Sequence, residues 1–245
     1  MKRNLMYREN RRSINVFVGC RHNCIYCKPS FQAQMKRQKS RCMKCYRYEP
    51  HSHLERLKKR PPKTFGDEFI FFPSSGDLAF ASDEVIKAHI RYAKKWSDRT
   101  FLMQTKNPRW MLNYKFPENV ILGITLETNR FVFITPSEYK GYAEISKAPI
   151  PKTRAWLFTL FFHSTKMVTI EPILDFDLCD MISLIEEIEN SCEKLIIYIG
   201  YDNHNCKLPE PKLEKTKMLI ATLEDMGFYV RIKSLRKAWY EEANP

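Results

Sequence analysis

Three cysteines fall within eight residues, in the run Cys20-Arg21-His22-Asn23-Cys24-Ile25-Tyr26-Cys27. Disulfides between such close neighbours are strained, whereas three thiolates on one short loop can converge on a single polynuclear centre. A four-iron iron–sulfur cube needs four ligands, commonly all cysteine. Three leave one iron open to an exogenous ligand, and an open coordination position means chemistry, as it does at catalytic zinc.

A second group follows in Cys42-Met43-Lys44-Cys45 and His51-Ser52-His53. Two thiolates and two imidazoles are the ligand set of a tetrahedral zinc site, although the Cys-to-His gap is far shorter than in a zinc finger. Two alternatives stay open here. One is an auxiliary iron–sulfur cluster, for which only two thiolates are at hand, and the other is a pair of reduced cysteines in a solvated loop. Of the other cysteines, Cys179 and Cys192 fall in or beside a helical pattern and read as small buried hydrophobes, and Cys206 follows a predicted strand end.

The charge is concentrated around these groups. The chain has 245 residues and a formal charge of +13. Residues 1–63 hold 18 Lys and Arg against three Glu, a net of +15, while residues 64–245 hold 23 basic and 25 acidic residues, a net of −2. A basic surplus confined to one segment suits a polyanion or an acidic cofactor or substrate. Tyr7, Phe31, Tyr46 and Tyr48 interleave with its cations, as phosphate contacts combined with stacking on unpaired bases would require. A DNA or RNA partner bound through this segment is therefore expected.

An apolar fraction of 44% is enough for a sizeable core. No run approaches the ~18 apolar residues of a membrane span, and Met1-Lys2-Arg3-Asn4-Leu5 lacks a signal peptide's apolar stretch. The expectation is a cytoplasmic protein with no membrane association. Residues 1–245 read as a single domain, with 28–67 a basic insertion that a metal would help to order.

Elements must hold these groups in place. The apolar run Ile14 to Val18 reads as a buried strand leading into the first cysteines. Further short apolar runs without alternation lie at Phe69 to Phe72, Phe101 to Gln104, Val120 to Leu126, Met167 to Ile170, Leu195 to Ile199 and Phe228 to Ile232, as expected of a parallel sheet covered by helices. Helical patterns lie between them at Asp83 to Trp96, Leu178 to Glu189 and Lys212 to Met226, with Ser82 placed to cap the first and Met226-Gly227 to close the last. The fold class is α/β, a partial (βα)6–7 TIM-like barrel with a parallel sheet and a Cys-rich basic insertion after strand 1. A closed eightfold barrel is the runner-up.

Ligands of parallel barrels sit at the C-terminal strand ends, which are polar throughout. They read Ser74-Ser75-Gly76-Asp77, Gln104-Thr105-Lys106, Thr125-Leu126-Glu127-Thr128-Asn129-Arg130, Glu171-Pro172 and Gly200-Tyr201-Asp202-Asn203-His204.

The C-x3-C-x2-C spacing, with the aromatic Tyr26 before its third cysteine and a strand before its first, resembles the signature of the radical S-adenosylmethionine (SAM) superfamily. The Ser74-x-x-Asp77 turn, Thr105-Lys106-Asn107-Pro108, the Pro117 to Gly123 strand and Ile170-Glu171-Pro172 are similar to a small phage and prokaryotic branch of it, near spore photoproduct lyase. The resemblance implies a [4Fe-4S] cluster on Cys20, Cys24 and Cys27, with SAM on its open iron. It implies SAM-binding roles for Tyr26 and for Ser74, Ser75 and Asp77, which replace the family's Gly-Gly-Glu stretch at the amino group. It points to Thr125 and Glu127 at the ribose and carboxylate, to Lys106 at an anion, and to Glu171 at a strand end. It also implies reductive cleavage to a 5′-deoxyadenosyl radical that abstracts a substrate hydrogen, an electron donor such as ferredoxin or flavodoxin, and Cys206 as a hydrogen donor to a product radical. The competing expectation is a non-catalytic, metal-stabilised nucleic-acid-binding module in which both cysteine groups are structural.

Overall fold

The computed structural model describes residues 6–134 and 139–241, so the expectation resting on Met1 to Leu5 lies outside the described residues. One seven-stranded, all-parallel sheet runs in sequence order and curls into a half-barrel: β1 (Asn10–Ser13), β2 (Phe69–Phe71), β3 (Phe101–Thr105), β4 (Val120–Thr125), β5 (His163–Ile170), β6 (Cys192–Gly200) and β7 (Tyr229–Ser234). Helices α1 (Asp83–Lys95), α2 (Pro151–Thr159), α3 (Leu178–Glu189) and α4 (Leu213–Asp225) supply the crossovers. The α/β partial TIM-like barrel is thus the observed architecture.

The outward-facing strand residues Ile70, Phe101, Met103, Leu122, Ile124, Val168 and Ile197 join helix residues such as Ile185 and Leu219 in the main core. The inward-facing set, Phe69, Phe71, Leu102, Ile121, Met167, Ile196 and Tyr198, fills the inside of the curl around Tyr7. Runs buried on both faces carry no polar alternation, which is why these strands are readable from composition. The open seam between β7 and β1 is bridged by side chains. Arg231 donates to Asp67 at 2.6 Å and lies 3.4 Å from Glu9, and Tyr198 donates to Glu9 at 2.6 Å.

Three local expectations are corrected. The first strand is Asn10–Ser13, upstream of the apolar run, because an edge strand with exposed Arg11 and Arg12 needs few apolar residues. Phe17–Val18 instead pairs antiparallel with His51–Ser52. Ser82 occupies the N-cap of α1 without a side-chain bond. Cys179 is exposed and Cys192 half-buried, since the buried face of α3 is carried by Met181, Ile185 and Ile188. Gly227, at φ +90°, follows α4 as expected. No helix among the described residues is long and apolar enough to cross a membrane.

Candidate active site

The three-cysteine loop sits at the C-terminal mouth of the half-barrel. Gly19 fixes it there. Its N–H donates to Ser75 O at 2.9 Å, and its carbonyl accepts from Asp77 N at 3.2 Å, so the loop is stitched to the end of β2. Gly19 has φ +97°, and a Cβ on it would lie 2.4 Å from the backbone of Glu49, so only glycine allows this crossing. After an extended Cys24 the chain makes a tight 3-10 turn over Ile25–Cys27.

All three thiols are free, with Cys24 buried and Cys20 and Cys27 half-buried. Cys24 Sγ lies 3.1 Å from Ser146 Oγ, and the His22 N–H donates to Cys20 Sγ at 3.4 Å. A hydrogen bond from Cys27 draws the Cys24 thiol down to about 5, with help from Lys106, against burial. The same bond, together with burial, pushes Cys27 well up. Burial and the Asp77 charge push Cys20 up. Cys20 and Cys27 thus hold protons that a metal would displace. Lys106 is the cation that favours the thiolate at all three.

Facing the loop is a buried charge network at the end of β4. Glu127 is fully buried. Its Oε1 accepts from Lys106 Nζ at 2.6 Å, from Tyr142 OH at 3.2 Å and from Tyr26 OH, and the Arg154 guanidinium lies 2.8 Å from its Oε2. Burial opposes the carboxylate, but the Arg154 and Lys106 charges outweigh it and hold the group well below the usual range. Arg154, itself fully buried, also donates to Thr125 O and Tyr142 OH. The Lys106 ammonium lies 5.2 Å from the centre of the Tyr26 ring.

Cys20, Cys24, Cys27, Tyr26, Lys106 and Glu127 therefore come together, with Thr125 attached through Arg154. The β2-end residues are more committed than their types suggest. Both Asp77 oxygens are taken, Oδ1 by Thr105 at 2.5 Å and Ala79 N at 2.9 Å, Oδ2 by Lys106 N at 2.9 Å and His22 Nε2 at 3.1 Å. Asn15 Oδ1 accepts from Ser74 N at 2.8 Å, Ser74 Oγ at 3.1 Å and Ser75 N at 2.9 Å. Glu171 accepts from Lys233, whose ammonium lies 4.8 Å from the centre of the Tyr7 ring. Cys206 packs against the same apolar cluster as Cys24, Tyr26 and Cys27, and burial together with Asp202 pushes its thiol up to about 12.

One residue of the expected stacking set, Tyr7, is unavailable to a nucleic acid, while Tyr48 is half-buried. Tyr7 is buried inside the barrel, donating to Gln104 Oε1 at 2.7 Å. Tyr48, at φ 58°, turns towards the three-cysteine loop, where burial and neighbouring Cys20 and Cys27 push its phenol well up. Phe31 and Tyr46 remain half-buried, with Lys36 4.5 Å from the centre of the Tyr46 ring.

Sequence reasoning missed His22, Ser146, Tyr142 and Arg154. Only His22, inside the cysteine motif, had a positional signal. Arg154 was hidden because α2 inverts the usual pattern, with Arg154 buried and Trp156 exposed.

The second group also converges. Cys42, Cys45, His51 and His53 place one ligand atom each within 4.8 Å of all the others. Cys42 and Cys45 flank the start of a short helix, Met43–Arg47, and His51 lies on the strand pair with Phe17–Val18.

No protein-family model matches the chain, and no curated protein matches it. Among solved structures, the chain is similar to a mutant of spore photoproduct lyase with dinucleoside spore photoproduct. The TM-score is 0.54 at 10% identity, covering 85% of this chain and 59% of that one. The likeness is one of fold alone.

Proposed function

We propose that the chain is a radical SAM enzyme. The observation that carries the reading is the convergence of three free thiols from one loop on the barrel mouth, opposite the Lys106–Glu127–Arg154 network. Three soft donors fit an iron–sulfur cluster with one open iron. When bound, such a cluster supplies the electron that cleaves SAM to methionine and a 5′-deoxyadenosyl radical. The protein's own part is positioning and exclusion of water. Lys106 places positive charge beside the thiolates and is oriented by Glu127. Tyr26, held by its bond to Glu127, fixes the turn between Cys24 and Cys27. The polar ends of β2 and β4, with Ser74, Ser75, Asp77 and Thr125, shape the SAM-facing wall. Cys206 stays protonated near neutrality, as a hydrogen donor must. The electron comes from a donor such as ferredoxin or flavodoxin.

The substrate class we propose is nucleic acid or a nucleotide. Exposed Arg37, Lys39 and Arg41 have no acidic partner among the described residues, and a cleft of about 290 Å³ is lined by Arg12, Arg56, Lys59 and Arg60. The dinucleoside in the similar structure fits the same reading.

Protein reconstituted anaerobically with iron and sulfide, then reduced with dithionite, should release 5′-deoxyadenosine from SAM, and Cys24→Ala should release none. Four irons per chain without that product would sink the enzyme reading. A colourless zinc-only protein would favour the binding-module alternative, since d10 zinc has no visible bands. Nucleic-acid binding should weaken steeply with salt and fall on reversing Arg37, Lys39 and Arg41 to Glu.

A further inference from the structure

We propose that Cys42, Cys45, His51 and His53 bind one zinc ion in a closed tetrahedral site that orders the basic insertion and backs the three-cysteine loop. This inference is independent of the radical SAM reading.

The distances fit a single ion. His51 Nε2 lies 3.4 Å from Cys42 Sγ, 3.3 Å from Cys45 Sγ and 2.9 Å from His53 Nε2, and His53 Nε2 lies 3.2 Å from Cys45 Sγ. Ligands at zinc's usual bond lengths stand about 3.3–3.8 Å apart along a tetrahedron's edges. The Cys42–His51 and Cys45–His51 pairs therefore match, and the two His53 pairs, at 2.9 and 3.2 Å, need only open slightly around the ion. A four-iron cube holds its cysteines on separate irons and needs four ligands, so an auxiliary cluster is a poorer match.

The imidazoles are set as metal ligands. Both present Nε2 to the centre. His51 Nδ1 lies 2.7 Å from Glu49 O, a carbonyl that only accepts, so Nδ1 carries the proton and neutral Nε2 presents its lone pair. His53 Nδ1 lies 3.1 Å from Glu55 Oε1, which imposes the same tautomer. Two lone pairs aimed at each other across 2.9 Å beside two sulfurs call for a cation between them. Carbonyl and carboxylate partners on the far ring nitrogen are the usual support of zinc-bound histidine. The Cys45 N–H donates to Cys42 Sγ at 3.4 Å, which steadies a thiolate there.

The insertion has little else to hold it. Across residues 28–67 only Cys45 and Pro61 are buried. A segment of that length without an apolar core needs another source of order, and a structural zinc supplies folding free energy directly. The site also touches the first cysteines. His51 pairs with Val18, Glu49 abuts Gly19, and Tyr48 turns towards Cys20 and Cys27.

The test uses the full chain carrying Cys24→Ala, which breaks the three-cysteine set, and Cys45 and His53 substitutions separate the proposed zinc from any metal on Cys20, His22 and Asp77. Metal analysis should find one zinc per chain. Adding His53→Ala or Cys45→Ala should reduce it below one tenth. Because those variants can unfold, Co(II) exchanged into the Cys24→Ala protein gives a second measurement. Intense tetrahedral d–d bands with thiolate charge transfer are expected there. Absence of zinc in Cys24→Ala, zinc unaffected by both ligand substitutions, weak octahedral cobalt bands, or iron in place of zinc would each overturn the proposal.

Discussion

At Cys42, Cys45, His51 and His53 the ligand atoms crowd within 4.8 Å of one another, and both imidazoles have a partner behind them in Glu49 and Glu55. Cys20, Cys24 and Cys27 offer three thiols from one loop, Cys20 standing within 4.8 Å of donor atoms of His22 and Asp77, and what faces them is a wall of charge, Lys106 against Glu127 with Arg154 behind. The two groups are joined where Gly19 meets the backbone of Glu49 and Val18 pairs with His51. The contrast teaches how a thiol cluster's purpose is written in its surroundings. A complete donor set, locked from behind, has no place for a substrate. An incomplete one, beside a charged wall, leaves a donor position unfilled.

The comparison breaks most sharply by substituting one cysteine on each side. Cys24→Ala should abolish iron retention and 5′-deoxyadenosine formation. Cys45→Ala should lower both several-fold without abolishing either, because its effect travels through Gly19 and Tyr48. Iron analysis and product quantification read the difference, and equal losses in the two variants would erase the distinction.

The charged wall comes next. Glu127→Ala leaves the Arg154 guanidinium buried without its partner, which should cost about 3–5 kcal/mol in denaturant unfolding. A loss below about 1 kcal/mol would mean that the network is solvated. Glu127→Gln should recover part of the stability while still lowering SAM affinity.

A smaller effect belongs to neither cluster and serves as their control. His89, fully buried on α1 with Nδ1 2.8 Å from Val85 O, is held down to about 4 by burial. Below the ordinary histidine value of 6.5 the unfolded chain takes up a proton that the folded chain refuses until about pH 4. Stability should therefore fall across that window by about 1–3 kcal/mol. His89→Leu should flatten the fall, as measured by unfolding at pH 7 and pH 4.5.

The fold was largely legible because its strands are buried on both faces. Phe69 to Phe72, Phe101 to Gln104 and Leu195 to Ile199 announce themselves as apolar runs, and α3 shows one apolar stripe. β1 stayed hidden because an edge strand reading Asn-Arg-Arg-Ser carries no such signal. Helix α2 stayed hidden because its buried face holds Arg154, whose partner Glu127 lies 27 positions upstream. Spacing placed the cysteines and histidines, since ligands near in sequence are near in space. It said nothing of Tyr142, Ser146 or the turn of Tyr48, which only the folded chain brings to the loop.

Tyr7 has a consequence for where a ligand can sit. Its ring is wedged among Phe69, Phe71 and Tyr198, and Arg231 ties Asp67 and Glu9 across the seam. Among the described residues the inside of the curl is thus filled by side chains, which leaves the C-terminal strand ends as the place for a ligand.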